Sequence, residues 1–366
     1  MSDILKIAGE FRLAADPVSF MPYGNGHIHD TYLVNCGNDN KPVRYIIQKI
    51  NTYVFRWPEI IMKNIFRIAE HMKQVHDDSA GGLIIPEPIL TRNGTSFTTD
   101  MEGSLFRCFT FIPDTVSYDT VEDPQLAFEA ASLFGRFIHE LRDLSPAEVG
   151  ITIPDFHNLG KRYKAFIDSI QSGLTDRKQI AAREIGILKP YTGLSTWYDH
   201  LVMECGLPER VCHKDTKINN VLINQHTHKA VCVIDLDTVM PGSILSDFGD
   251  MVRTFTNNAD EDAADLDQVF SRIDIFENLT MGFLSETKPM LEKVETDNLV
   301  FGAKYLTCMQ AIRFLTDYLN GDVYYKTRYE DHNLVRTRNQ VKLLQSIEEQ
   351  EDKMKDIIYK CLHGQV

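Results

Sequence analysis

The sequence predicts an α+β protein, with a small β-rich part over residues 1–112 and a large, mostly helical part over residues 113–366. Three observations predict it. Residues 18–112 hold short β-rich runs separated by glycine-containing turns. After Pro113, apolar residues recur at helical spacing. That helical pattern is interrupted once, by a β-rich stretch over residues 211–237. No internal repeat or low-complexity segment is found, and the 366 residues suit two or three domains at about 150 residues each.

The elements follow in order. Ile4, Ile7, Ala8 and Phe11 stand at i, i+3, i+4, i+7 and predict a helix over 3–11. Strands are expected at 19–23, 31–34, 43–47 and 105–111. Asn93-Gly94 predicts a type I′ hairpin turn. Pro58 opens a helix whose apolar stripe is Ile61, Ile65, Ile68, Ala69 and Met72. Asp123-Pro124 reads as an N-cap and first helical residue. Further helical patterns lie near 160–170, 176–188, 194–204, 263–285, 297–319 and 334–361.

Apolar residues make up 43% and charged residues 25%, as in an ordinary globular protein. Lys and Arg number 38 against 52 Asp and Glu, a formal charge of −14. That balance speaks against nucleic-acid binding, which needs clustered cations on phosphates, and against an anionic membrane surface. The seven cysteines include no C-x-x-C spacing, so neither a disulfide framework nor a zinc ribbon is supported. Free thiols, no membrane span and a charged start, MSDILKIAGEF, give a cytoplasmic protein as the expectation.

The most informative stretch is His213-x-Asp215-x-x-x-x-Asn220, followed by two apolar runs, 221–224 and 230–235, that read as a hairpin. Asn220 precedes the first strand and Asp235 ends the second, so antiparallel pairing puts both at one end. An amide oxygen beside a carboxylate suits a hard cation such as Mg²⁺. Asp215 lies in the loop entering the hairpin. This is the logic of phosphoryl transfer from ATP: Asp215 accepts the proton of an attacking hydroxyl, while Asn220 and Asp235 hold Mg²⁺ on the phosphates. Asp237, two residues on, faces the same side if the strand continues, and then meets metal or substrate. Asp247-Phe248-Gly249 spells the metal-binding tripeptide of protein kinases but lies twelve residues past Asp235, beyond Pro241-Gly242. Asp247 is therefore given a structural capping role.

His213–Asn220 together with Ile234-Asp235-Leu236-Asp237 resembles the catalytic core of the aminoglycoside phosphotransferase and choline kinase superfamily. Further segments, 22–28, 235–242, 313–319 and 332–338, resemble the N-acetylhexosamine 1-kinases within it. The resemblance implies a bilobal, protein-kinase-like fold using ATP and Mg²⁺. It also implies a small-molecule sugar as partner, phosphorylated on its anomeric hydroxyl, and a monomer is expected. Gly24, Asn25 and Gly26 are either a plain hairpin turn or a phosphate-approaching loop. Gln48 occupies the place usually basic on the third strand, and Lys49 serves there only if the strand is bulged or shifted. Phe111 and Ile112 fall at the expected adenine hinge. The resemblance makes His27 and Arg313 sugar contacts. Otherwise His27 is a solvated turn residue, and Arg313 and Asp317 are an i, i+4 ion pair. Tyr324 presents its ring or hydroxyl to the sugar, or packs in the core. Rival readings are a related kinase for an aminoglycoside, choline or homoserine hydroxyl, and a pseudokinase that binds without chemistry.

Overall fold

The computed structural model of the chain describes residues 3–24, 28–37, 43–75 and 83–364. In chain order the first elements are α1 (Asp3–Gly9), β1 (Pro17–Pro22), β2 (Asp30–Cys36), β3 (Val43–Lys49), α2 (Pro58–Val75), β4 (Pro88–Ile89), β5 (Thr98–Thr99), β6 (Leu105–Thr110) and β7 (Thr115–Val116). Next come α3 (Pro124–Glu140), α4 (Leu159–Ser172), α5 (Thr175–Ile180), α6 (Ala182–Leu188), α7 (Thr192–Met203), β8 (Arg210–Cys212), β9 (Val221–Asn224), β10 (Ala230–Val233) and β11 (Met240–Gly242). The chain ends with α8 (Ile244–Phe255), α9 (Ile273–Thr287), α10 (Lys293–Thr296), α11 (Leu299–Leu319), α12 (His332–Glu349) and α13 (Glu351–His363). The predicted mixture, a β-sheet region followed by a helical one, is present. Two compact units form from interleaved segments: 1–116, 143–153 and 222–240 in the first, the remainder in the second.

In the first unit an antiparallel sheet runs β1-β2-β3-β6-β4, with β5 also on β6. Its register sets Thr31 opposite Gln48 and Gln48 opposite Arg107. Period-two alternation sends Val34, Ile47, Phe106 and Cys108 into a core closed by Ile7 and Phe11 after the α1 stripe. Helix α2 buries Ile61, Ile65, Ile68 and Met72, as its 3.6-residue spacing demands. Its one buried amide, Asn64, accepts the N–H of Gly150 at 2.8 Å and donates to the carbonyls of Gly150 at 2.7 Å and Val239 at 3.2 Å. That satisfied amide ties three separate chain segments together. A second small sheet orders β10-β9-β7, with Thr115 opposite Asn224.

In the second unit α3 packs on α9, and α11 packs on α4, α8 and α12. Helix α11 therefore buries residues around most of its circumference, among them Tyr305, Ile312, Leu315 and Tyr318. The α8–α11 approach is close enough that a Cβ on Gly249 would stand 2.3 Å from the Gly302 carbonyl oxygen. A Cβ on Gly302 would stand 2.4 Å from that of Leu245. Gly249→Ala is thus expected to destabilise by about 1–3 kcal/mol, because backbone has to yield; a lowered urea midpoint with an unchanged slope is the readout.

Three local expectations differ. Asn93-Gly94 is not a type I′ turn, since Gly94 alone has positive φ, at 83°, and its N–H bonds the Thr91 carbonyl. The 263–285 helix starts at Ile273, because Asp265 caps a short 3-10 turn and Asn258 N–H bonds the Phe270 carbonyl. The 334–361 helix is two helices broken at Gln350, whose amide turns back onto the Ser271 and Ser346 carbonyls. All seven cysteines are free, and no described helix is long and apolar enough to cross a membrane.

Candidate active site

In the second unit the Asp215 loop is built from backbone outward. The His213 ring is fully buried, with the edges of Phe134 and Phe137 against it at 5.3 and 5.8 Å between centroids. Its Nδ1 accepts the N–H of Asp215 at 3.3 Å. Lys214 takes a left-handed φ of 64°, which turns the chain so that consecutive N–H groups point one way. The N–H groups of His213 and Lys214 donate to Asp247 at 2.7 and 2.9 Å, and Thr216 N–H donates to Asp250 at 3.1 Å. Asp247 and Asp250 stand i, i+3 on α8, so one helix face holds the whole loop.

Asp215 is brought together with Asn220 and Lys217. Asn220 Nδ2 donates to the Asp215 carbonyl at 2.8 Å and to its Oδ2 at 3.1 Å, and Lys217 Nζ lies 3.0 Å from Oδ2. Burial alone raises the pKa of this carboxyl, but the Lys217 ammonium, His213 and the Asn220 amide outweigh it and hold it below its ordinary value. The Asp215 carboxyl is therefore ionised at neutral pH. Asn220 spends its N–H₂ on Asp215, which turns its amide oxygen away from that partner.

Asp247 has a larger part than the capping expected of it, since it accepts the two loop N–H groups. Burial pushes its pKa up to about 6 despite those donors and the nearby His213. Phe248 is core and Gly249 is the α8 residue in close contact with α11, so these two residues serve packing. Asp250 was not anticipated from sequence. Only the helical phase it shares with Asp247, three residues earlier, signals it.

In the first unit β10 ends at Val233 and Asp235 enters a 3-10 turn, Leu236–Thr238, through a left-handed φ of 60°. The strand does not continue, and this overturns the expectation for Asp237. Its carboxylate is 1% exposed and accepts a bidentate pair from Arg107, Nη1 at 2.6 Å and Nη2 at 2.9 Å. His29 completes the site, with Nε2 2.7 Å from Oδ2. Asn51 N–H donates to His29 Nδ1 at 3.1 Å, so Nε2 carries the proton that Asp237 accepts. Both Asp237 oxygens are thus engaged by buried donors of the same unit. Arg107 and His29 were missed because neither lies in a motif; strand register alone aims Arg107 at Gln48.

The Gln48 amide is engaged on both sides, accepting from Arg107 Nε at 3.1 Å and donating to Thr31 Oγ1 at 3.2 Å. Lys49, on the alternate side of β3, acts electrostatically on Asp100. Gly24 has φ 76°, while Asn25, Gly26 and His27 lie outside the described residues. At the expected hinge, Arg44 covers the Phe111 ring at 4.3 Å and Tyr23 meets its edge at 5.8 Å. The Ile112 carbonyl accepts from Thr115 Oγ1 at 2.9 Å.

Arg313 and Tyr324 are also brought together, in the second unit. The Arg313–Asp317 ion pair, the alternative to a sugar contact, does not form. Asp317 instead accepts the N–H groups of Tyr324 and Tyr325 at 2.8 and 2.9 Å and the Asn333 amide at 2.9 Å. That fixes both tyrosines beneath the Arg313 guanidinium, 5.9 and 5.5 Å from their ring centres. Tyr324 is 51% exposed and so is not core.

No group of three metal-binding side chains is gathered among the described residues. Mg²⁺ needs fewer, because it keeps water and takes phosphate oxygens alongside one or two protein ligands. The Asp235 carboxylate and Asn220 amide are hard oxygen donors of that kind, so the donor chemistry fits.

A β-sheet N-terminal region, a helical C-terminal region and an Asp–Asn loop held by a following helix together define a kinase-like phosphotransferase fold. The chain belongs to the APH phosphotransferase enzyme family, whose match covers residues 19–272. Solved structures share the fold. A microcompartment-associated aminopropanol kinase is 16% identical, with a TM-score of 0.60 over 96% of this chain and 97% of that one. A spectinomycin phosphotransferase in complex with ADP and spectinomycin is 13% identical, with a TM-score of 0.55 over 98% and 97%. An ethanolamine kinase of Plasmodium vivax is 12% identical, with a TM-score of 0.54 over 88% and 82%.

Proposed function

We propose that the protein transfers the γ-phosphoryl group of ATP to the anomeric hydroxyl of an N-acetylhexosamine, giving the sugar 1-phosphate. The observation that carries the reaction type is Asp215, kept ionised by Lys217 and Asn220 on a loop anchored to α8. Asp215 orients the acceptor hydroxyl and takes its proton as the new O–P bond forms. Asn220 and Asp235 are the residues that would hold Mg²⁺. When bound, that ion neutralises charge on the transferring phosphates. Residues 1–112 supply the nucleotide contacts, from Gly24, Asn25, Gly26, Gln48, Lys49, Phe111 and Ile112. Residues 113–366 supply most of the acceptor contacts, with Arg313 and Tyr324, joined by His27.

The sugar rests on the resemblance of the flanking segments and on the pairing of Arg313 with Tyr324. A cytoplasmic monomer is part of the same reading, and free thiols at all seven cysteines agree with a reducing compartment. A second reading, phosphorylation of an amino alcohol or aminoglycoside hydroxyl, is favoured by what the solved structures of similar fold act on. ADP release with ATP and Mg²⁺ over a panel of hexosamines, amino alcohols and aminoglycosides separates the two. Phosphorus NMR of the product then shows an anomeric phosphate for the first reading and an ordinary alcohol phosphate for the second. Acceptor-independent ADP release, or none, would count against both.

A further inference from the structure

In the second unit, four cations, one of them Lys214 of the Asp215 loop, act electrostatically on one neutral imidazole, His157. His157 stacks on Phe156 at 4.6 Å, and Arg162 Nη2 reaches the Phe156 carbonyl at 3.5 Å. Arg313 lies 5.5 Å over the other aromatic contact, the Phe156 ring. Burial keeps His157 uncharged, and Lys214, Arg313, Arg253 and Arg162 act in the same direction. Arg162 is itself disfavoured as a cation, first by burial and then by Arg313.

The acids nearby are already committed. Asp250 and Glu261 both pair with Arg253, at 2.9 and 2.7 Å; Asp215 pairs with Lys217 at 3.0 Å and Asp155 with Lys161 at 2.7 Å. Among the described residues Arg162, Lys214 and Arg313 make no ion pair, and the polar bond of Arg313 goes to the uncharged Gln310 amide at 3.1 Å. Two polar atoms are left over. Arg162 Nε and His157 Nδ1 are buried without a hydrogen-bond partner. Buried polar groups are ordinarily satisfied, and buried charges are ordinarily paired. For Arg162, a cation with a spare N–H, the missing partner has to be an acceptor of hydrogen bonds with negative charge.

We propose that the surface formed by Phe156, His157, Arg162 and Arg313 is a binding site for an anionic oxygen group, a carboxylate or a phosphoryl group, at the acceptor end of the reaction. The guanidinium groups offer planar pairs of donors that match such an oxygen pair. The same field repels ammonium groups, so amino alcohols and aminoglycosides are poor ligands for this surface. The place of the site in the reaction rests on the proposed kinase reading; its binding property does not.

The test uses the full chain saturated with MgADP, which occupies the α- and β-phosphate contacts of the nucleotide; any phosphate bound in the γ position is told apart by its indifference to the arginine variants below. Inorganic phosphate, glucuronate and glucosamine are titrated into it calorimetrically. Phosphate and glucuronate are expected to bind and glucosamine not to bind. Arg313→Gln and Arg162→Gln are each expected to weaken anion binding by at least about ten-fold, while MgADP affinity and the melting temperature stay unchanged. Arg313→Lys keeps the charge, so it recovers part of the loss. If glucuronate is also phosphorylated with a lower KM than N-acetylglucosamine, the anion is a substituent of the acceptor. If phosphate binds together with a neutral hexosamine and glucuronate gives no turnover, the site takes the phosphoryl group itself. No anion binding to the MgADP-saturated protein, or wild-type binding in both Gln variants, overturns the proposal. Because the binding readouts need no turnover, a failure of kinase activity would count against the proposed reaction alone.

Discussion

Asp215→Asn should lower kcat by about 10²–10⁴-fold, the usual worth of a positioned general base, with the KM for ATP and the melting temperature close to wild type. The amide keeps the size of the side chain and can still accept from Asn220, so the loop has no reason to rearrange. What it loses is basicity and the charge that Lys217 meets at 3.0 Å. Steady-state ADP release together with nucleotide binding reads the split. A variant that turns over at the wild-type rate would remove Asp215 from the chemistry. Loss of nucleotide affinity in parallel with kcat would instead point to a collapsed loop.

The second large effect is on stability. Asp237→Asn leaves Arg107, which is 2% exposed, without its counter-charge, and breaking a buried pair in this way costs roughly 3–5 kcal/mol. Urea unfolding at pH 7 should show it. The pH dependence has a definite sign. Burial opposes ionisation of Asp237, but Arg107 and His29 more than compensate and hold its carboxyl well below the usual carboxylate range. A depressed folded pKa stabilises the fold above the ordinary aspartate value of about 3.9 and loses that stabilisation as pH falls towards the folded value. The wild type should therefore weaken steadily below about pH 5, and Asp237→Asn should lack that part of the slope. Replacing both partners, as Arg107→Met with Asp237→Leu, should recover most of the loss, because no unpaired charge remains.

The two predictions touch residues of unequal legibility. Asp215 and Asn220 could be found by reading, since both sit in one loop five residues apart and their chemistry depends on that local spacing. The hairpin after them was legible from its two apolar runs. Asp237 was read from the same pattern and came out differently, because the strand ended two residues earlier than alternation suggested and a left-handed Asp235 redirected the chain. Arg107 and His29 could not have been found in this way, being separated from Asp237 by 130 and 208 positions. Asp317 shows the same limit in a helix. Its i, i+4 spacing from Arg313 was correct, but two tyrosine N–H groups and an asparagine amide compete better for its carboxylate than an exposed ion pair does.

By itself the sequence determined the α+β mixture, the stripes that bury α1 and α2, and the loop in which the Asp215 carboxylate lies beside the Asn220 amide. These depend on periodicity and on contacts within a few residues, which the order of residues records directly. The tertiary structure alone decided which acids are free to act. It committed Asp237 to Arg107, Asp247 and Asp250 to loop N–H groups, and Asp317 to a turn, and among the described residues it left Arg162 and Arg313 without acids of their own. A carboxylate's role depends on which donors reach it first, and those donors come from strands and helices whose meeting no local pattern encodes.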